Sequence, residues 1–357
     1  MSGVRPIDYL IVGQGLAGSL LAWALLERGQ QVVVVDDSHR TSSSIAAAGL
    51  INPITGQRLA KGPEVEACLA TARACYRGLE QRFGQPLLHE VAMQRLVTDA
   101  KLRDSYEKRC SDPAYADYLG ELYGAGQSGW RLNDPFGSFR QHHTGYLAVG
   151  TLLALVREAL LRRDAYVNDP LPHAALSLAE GAVMWGEWQA RRVIFCEGYL
   201  LRDNPWFNWL PLQPAKGEIL TIDGYGELPE VIINGGHWLL PLADGHHKLG
   251  ASYDRDHLDE TLTVEARRAL LGALSELIIE PPTCRVIDHR AGVRPGTRDK
   301  QPFLGLHPHH PQLAIFNGFG SRGSLLIPWH AELFADVLCD KAQLPAHLDI
   351  RRHWSEA

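Results

Sequence analysis

Apolar positions change period twice within the first forty residues. Tyr9 to Val12 is a continuous apolar run, three glycines interrupt it, and apolar residues then recur at helical spacing from about Leu16 to Arg28 before Gly29 breaks the chain. A second apolar run, Gln31 to Val35, follows. Strand, glycine turn, helix, strand is a βαβ unit, and it predicts a parallel sheet. An alanine-rich amphipathic pattern from Val65 to Phe83 predicts a helix, and the mixed stretch to Gln94 is interrupted by Pro86. Leu152 to Arg163 is again helical, and the run Arg192 to Cys196, ending on Glu197-Gly198, reads as a return to the first sheet. Between Leu210 and Tyr253 the short runs Glu218–Ile222, Val231–Ile233 and His237–Leu240 alternate with turn residues, as antiparallel strands do. A helix over Val264–Leu277, the break Pro281-Pro282, further strands and a terminal helix Trp329–Cys339 complete the pattern.

A chain of 357 residues exceeds the usual size of one domain. The order of elements predicts an α/β protein of two interleaved domains. Segments 1–83, 149–205 and 285–357 form a Rossmann-type dinucleotide-binding domain, and 84–148 with 206–284 form an α+β substrate domain on a mostly antiparallel sheet. With 45% hydrophobic and 21% charged residues, the composition is that of a folded globular protein and speaks against bulk disorder. A formal charge of -6 argues against broad attraction to nucleic acid or an anionic membrane and favours a small-molecule partner. Seven of the 35 basic residues are lysine, so most positive charge sits on arginine, whose fork suits carboxylates and phosphates. Cys68, Cys75, Cys110, Cys196, Cys284 and Cys339 contain no Cys-x-x-Cys pair and read as free thiols, which disfavours a redox disulfide. Three glycines break the run Tyr9 to Leu26, so neither a signal peptide nor a membrane span is expected and a cytoplasmic location is.

The turn Gly13-Gln14-Gly15-Leu16-Ala17-Gly18 has a physical task at each glycine: a tight turn, close approach of backbone to a pyrophosphate, and close packing of helix on strand. The helix start then offers N–H groups and a positive dipole to the phosphates. Asp36, ending the second strand, can accept from ribose hydroxyls, and Asp37 follows it. This context establishes a dinucleotide without naming it. Two further segments bear on its identity. Ser42 to Pro53, which includes Ser43, Ser44, Ala47, Ala48, Gly49 and Leu50, is either a flexible loop or backbone laid against a flat ring. The C-terminal pair is Arg290-Ala291-Gly292-Val293-Arg294-Pro295-Gly296-Thr297 and Asn317-Gly318-Phe319-Gly320-Ser321-Arg322-Gly323-Ser324.

With the Pro214-Ala215-Lys216-Gly217-Glu218 turn, these motifs resemble, in order and over nearly the whole chain, the D-amino-acid oxidase family, which includes glycine oxidase and monomeric sarcosine oxidase. The resemblance implies FAD, held also by Val167, Gly198, Gly292, Arg294, Gly318, Gly320, Ser321, Arg322, Gly323 and Ser324. It places Arg294 where the family clamps a substrate carboxylate; an arginine closing a turn onto Asp299 or Asp288 is the plainer alternative. Arg322 falls within one position of a second substrate arginine, although Gly320-Ser321-Arg322-Gly323 is closer to the oxidase half of the bifunctional wobble-uridine tRNA-modification enzyme. Trp238 and Tyr253 correspond to pocket-wall positions, with ordinary packing as the alternative, and Lys248 to a lysine that promotes reaction with oxygen, or else to a surface lysine. The family's covalent flavin link uses a cysteine where Arg294 stands, so the FAD is expected to be non-covalent.

The implied reaction is oxidation of a small amine or amino acid, with a hydride equivalent passing to flavin N5 and the imine then hydrolysed; the acceptor is oxygen, a quinone or a carrier protein. Rival readings are an oxidase acting on an aminomethyl group of a modified tRNA nucleoside, and a flavin-binding protein with little turnover. The pairs His142-His143, His246-His247 and His309-His310 lack a third ligand at regular spacing, so no metal is expected. Arg157, Arg162, Arg163, Arg191 and Arg192 read as solvated faces.

Overall fold

A computed structural model describes residues 4–38, 42–224 and 226–355. Residues 1–3 and 356–357 of the expected first domain lie outside them. Two compact units divide the chain: one of 1–45, 149–215 and 293–357, the other of 46–148 and 216–292.

In the first unit the βαβ unit is present as β1 (Arg5–Val12), α1 (Leu16–Glu27) and β2 (Val32–Asp36). β1 pairs in parallel with β2 on one side and with Trp188–Phe195 on the other, and β2 pairs in parallel with Tyr166–Asn168. Trp188–Phe195 is long enough to take two partners on its outer edge. Its first half meets the antiparallel Ala182–Trp185, and Val193–Phe195 meets the parallel Leu313–Asn317. The sheet is therefore mixed at that side, with Phe303–Leu306 antiparallel to Leu313–Asn317. Tyr9–Val12 of β1 and Val32–Val35 of β2 are apolar and buried because helices cover the sheet. α1 itself buries Leu16, Leu20, Leu21, Ala22, Ala24 and Leu25 and packs against the helix Gly323–Leu338.

The second unit is built on an eight-stranded sheet in the order Arg285–Arg294, Ala215–Asp223, His247–Gly250, His237–Pro241, Ile232–Gly235, Met93–Leu96, Ser138–Gln141 and Leu119–Tyr123. From Ala215–Asp223 onward neighbours run antiparallel, except that Ile232–Gly235 lies parallel to Met93–Leu96. The two-residue alternation of a strand sorts neighbours to opposite faces. Leu220, Ile233, Leu239 and Leu249 pack under the helix Val264–Leu277 with Leu270, Leu274 and Leu277. Ile219, Ile232 and Leu240 face the other way, onto Ala48, Met93 and Tyr146.

Several expected boundaries move. The second unit begins at residue 46 rather than 84, because Leu50–Ile51 pairs with Gly145–Leu147 and α3 (Val65–Phe83) packs on Leu88–Glu90. The later crossings fall at 216 and 293 rather than 206 and 285; an isolated bridge of Leu212 to Thr297 ties residues before 216 to the first unit. The helix expected over Leu152–Arg163 spans Val149–Leu161, and the terminal helix starts at Gly323 rather than Trp329, carrying Pro328 in its second turn. The Lys216-Gly217-Glu218 run is not a turn. It lies inside the strand Ala215–Asp223.

That placement gives the run a structural role. Lys216 and Glu218 are each only 2% exposed. Lys216 Nζ donates to Asp259 at 2.7 Å, while Glu218 accepts from the backbone N–H (3.0 Å) and hydroxyl (2.8 Å) of Thr263 and lies 2.8 Å from His289 Nε2. Thr263 in turn caps the Val264–Leu277 helix through Ala266. One buried carboxylate thus anchors the helix start to the sheet. Glu218→Ala strands these donors and is expected to lower the unfolding free energy by about 3 kcal/mol, and Thr263→Ala by about 1 kcal/mol. The double variant should lose less than the sum, because the two residues share one contact. Urea unfolding of the three variants measures this, and strictly additive losses would contradict it.

Candidate functional site

The glycine turn is shaped by a backbone contact rather than by side chains. Gly13 has φ +97°, and a Cβ on Gly18 would stand 1.9 Å from the Gly13 carbonyl oxygen. Only glycine at 18 lets α1 start this close to the end of β1. α1 opens at Gly15 with no side-chain cap and no acid in its first turn, and Ser44 Oγ accepts the Leu16 N–H at 3.0 Å. A helix start of this kind, with backbone pressed into a tight turn, fits a pyrophosphate. Ser43 and Ser44 lie in the short helix α2 (Ser43–Ala46), beside that opening through Ser44.

Asp36 is buried at the end of β2, and its Oδ2 accepts the Gln14 N–H at 2.8 Å. Asp37 is exposed. The side chain of Gln14, between the first two glycines, is fully buried. Its Nε2 donates to the Leu153 carbonyl (2.9 Å) and Ser19 Oγ (3.2 Å), and its Oε1 accepts from Arg157 Nε at 2.6 Å. Arg157 also brings its Nη2 to 3.8 Å from Asp36 Oδ1. Arg157 is therefore not part of a solvated face. Arg191 and Arg192 are also engaged, Arg191 with the Tyr9 hydroxyl and Arg192 with the Pro311 carbonyl. Arg163 stacks over Trp23, and Arg162 lies 3.8 Å from Glu158 on the helix surface. Val167 pairs with Val35 beside Asp36.

The other first-unit candidates gather around the C-terminal loops. Gly198 opens a short 3-10 helix, and its carbonyl accepts from Asn317 Nδ2 at 2.9 Å; Asn317 Oδ1 accepts the N–H of Gly318. Gly320 donates its N–H to the Pro295 carbonyl at 3.1 Å, and Gly296 donates to the Arg294 carbonyl at 2.9 Å. The first of these bonds joins the loop of Gly318, Gly320, Ser321 and Arg322 to the turn carrying Arg294, and the second closes that turn. Arg322 stands at the start of the helix that contains Gly323 and Ser324, and both arginines are partly buried. Asp299 accepts from Arg352 at 2.8 Å, and Asp288 from Arg290 at 2.6 Å. Gly292 is a buried position of the strand Arg285–Arg294.

In the second unit, Lys248 Nζ donates to the Ala47 carbonyl at 2.9 Å. The lysine is not a surface one. Burial, helped by the neighbouring Arg290 guanidinium, pulls its ammonium down to about 8. The residues after Ala47 are also held: Ala48 packs in the core cluster, Gly49 accepts the Leu147 N–H, and Leu50 pairs with Tyr146. Trp238 lies across Gly250, where an added Cβ would meet its ring at 2.6 Å, and packs beside Ala48, Ile219 and Leu240. Tyr253 departs from the expected wall position. It is 63% exposed in the chain after the His247–Gly250 strand, and Arg255 donates to its hydroxyl. Among the described residues no three His, Cys, Asp or Glu side chains converge as a metal site, and no helix is long and apolar enough to cross a membrane.

Gln14 and Asn317 were missed as site residues because an amide inside a glycine motif carries no periodic signal. The reading of Arg157 failed for a related reason, since helical spacing does not reveal what lies opposite.

The chain is 26% identical to glycine oxidase of Pseudomonas putida over 350 residues, covering 92% of this chain and 93% of that one. It is 24% identical to the tRNA 5-methylaminomethyl-2-thiouridine biosynthesis bifunctional protein of Azoarcus sp., covering 96% of this chain and 58% of that longer protein. The crystal structure of glycine oxidase from Geobacillus kaustophilus superposes with a TM-score of 0.85 at 20% identity, over 98% of this chain and 100% of that one, and so shares the fold. Residues 8–337 match the family of FAD dependent oxidoreductases named for D-amino-acid oxidase, and the chain belongs to that family.

Proposed function

We propose that this FAD-dependent oxidoreductase oxidises the C–N bond of a small amino acid or amine and passes the electrons to oxygen. The observation that carries the reading is the joined pair of loops in the first unit. Gly320 bonded to Pro295 sets the Arg322 loop on the Arg294 turn. A guanidinium placed so would orient a substrate carboxylate by two parallel donors. The similarity to glycine oxidase supports a carboxylate-bearing substrate. FAD, when bound, would supply the acceptor for the hydride equivalent that leaves the carbon carrying nitrogen. The chain's own contribution is to hold the cofactor at the glycine turn, Asp36 and the loop after Asn317, without a covalent bond, since Arg294 stands where the family's linking cysteine would be. Trp238 lines the substrate side in this reading, whereas Tyr253 at the surface acts at most on access. The six free cysteines accord with a cytoplasmic location.

A second reading, oxidation of an aminomethyl group on a modified tRNA nucleoside, is favoured by Gly320-Ser321-Arg322-Gly323 and by the similarity to the bifunctional tRNA protein. Anaerobic mixing with glycine, D-amino acids, N-methyl amino acids, primary amines and carboxymethylaminomethyl-uridine tRNA separates the readings. Bleaching of the flavin band by a free amino acid is the expected result. Bleaching by the tRNA alone would favour the second reading, and by no compound a flavin protein with little turnover.

Arg294→Ala is expected to raise KM for an amino acid by about 10- to 100-fold, the loss of a charged hydrogen-bonded pair, and to leave an amine lacking a carboxylate unaffected. Equal losses on both substrates in steady-state kinetics would remove the carboxylate role. Lys248 predicts a pH dependence of reoxidation. The lysine is a cation below about 8 and neutral above it, and a cation stabilises the negative charge that develops on oxygen. The rate of flavin reoxidation should therefore fall as pH rises through that value, and Lys248→Met should be slow and flat across the same range. Stopped-flow mixing of reduced enzyme with oxygen measures both, and a profile unchanged in the variant would exclude Lys248 from the oxygen step.

A further inference from the structure

The contact among Gln14, Arg157 and Asp36 is used neither by the glycine-turn reading nor by the substrate arginine. Its geometry is specific. The Gln14 amide can adopt one orientation only, because its Nε2 faces the Leu153 carbonyl and Ser19 Oγ and its Oε1 receives Arg157 Nε. A second arm of the same planar guanidinium lies 3.8 Å from Asp36 Oδ1, and the backbone N–H of Gln14 occupies Asp36 Oδ2. The guanidinium stands over the Tyr166 ring at 5.3 Å. The helix Val149–Leu161 thereby grips, through one arginine, both the variable residue of the phosphate turn and the acid that ends β2. At 3.8 Å the arginine acts on the carboxylate as a charge. It would offset the repulsion between that carboxylate and a pyrophosphate bound at the turn.

We propose that Arg157 is a positioning residue of the cofactor site, which sets FAD affinity by fixing the Asp36 carboxylate, its own guanidinium being held in place by the Gln14 amide. The proposal rests on the reading of Asp36 as acceptor for the adenosine ribose.

The test is a double-mutant cycle on the purified holoenzyme, with Asp36→Asn, Arg157→Met and the pair, reading the FAD dissociation constant from flavin fluorescence on dilution and the thermal midpoint of each apoprotein. Asp36→Asn and Arg157→Met should each weaken FAD about tenfold, the size of one charge-assisted contact. The double variant should bind within about twofold of Asp36→Asn alone, because an arginine that works through Asp36 has nothing further to lose. Arg157→Lys, which keeps the charge but lacks the Nε arm to Gln14, should fall between wild type and Arg157→Met. It also supplies the comparison if Arg157→Met fails to fold.

Unchanged affinity in Arg157→Met beside a weakened Asp36→Asn overturns the proposal and leaves the ribose reading standing. Unchanged affinity in Asp36→Asn overturns both. Additive losses in the double variant place Arg157 outside the Asp36 relay and overturn the proposal. So does a loss of affinity matched by a drop in the apoprotein's thermal midpoint in Arg157→Met and Arg157→Lys alike.

Discussion

The first unit depends on one close approach, the first turn of α1 seated against the Gly13 carbonyl. A side chain at Gly18 would collide with that oxygen at 1.9 Å, so the approach exists only with glycine there. Once it exists, the rest is constrained. The end of β1 and the start of α1 are locked together, the Gln14 N–H is aimed at Asp36, and the Gln14 side chain is driven into the interior, where its amide must find partners or leave buried polar groups unsatisfied. Leu153, Ser19 and Arg157 supply them. A backbone contact shorter than any side chain permits thus determines which polar residues the neighbouring helix must carry.

The second unit solves a different problem with similar means. A sheet covered by a helix on one face sorts its strand residues by alternation, and Ile219/Leu220, Ile232/Ile233 and Leu239/Leu240 fall on opposite sides without further specification. Alternation cannot decide where the covering helix begins. That falls to Glu218, a carboxylate placed inside a strand where an apolar residue would be ordinary, and to Lys216, whose buried ammonium donates to Asp259 and lies 4.0 Å from Glu218. Lys248 follows the same logic three strands later in sequence: its ammonium ends on the Ala47 carbonyl, so a partly buried cation and a run of small residues hold each other in place.

What was legible in the chain follows from these differences. Period and glycine placement revealed β1, α1 and β2 to within a few residues, because apolar burial and positive φ leave local traces. The interleaving of two domains was legible too, but not its seams. Residues 46–83 look like a continuation of the first unit in sequence and belong to the second through the pairing of Leu50–Ile51 with Gly145–Leu147, a contact between positions nearly a hundred residues apart. The Lys216–Glu218 run was misread for the opposite reason. Its glycine and charges carry the local marks of a turn, and only the ion pairs that satisfy those charges make a strand possible there.

Arg157 shows where local reading stops. On the helix Val149–Leu161 it stands in a stretch that also holds Glu158, Arg162 and Arg163, and composition alone assigns all four to solvent. Arg162 and Glu158 accord with that assignment; Arg157 does not, although helical spacing treats the two arginines alike. What separates them is the identity of residue 14. A glycine motif tolerates many side chains at that position, and a small one there would remove the amide that Arg157 bonds. Gln14 makes the difference, since a buried amide oxygen must be given a donor and the helix Val149–Leu161 supplies it. The role of an arginine more than a hundred residues away is therefore decided inside the nucleotide motif, at the one position of Gly13-Gln14-Gly15 that the motif itself leaves open.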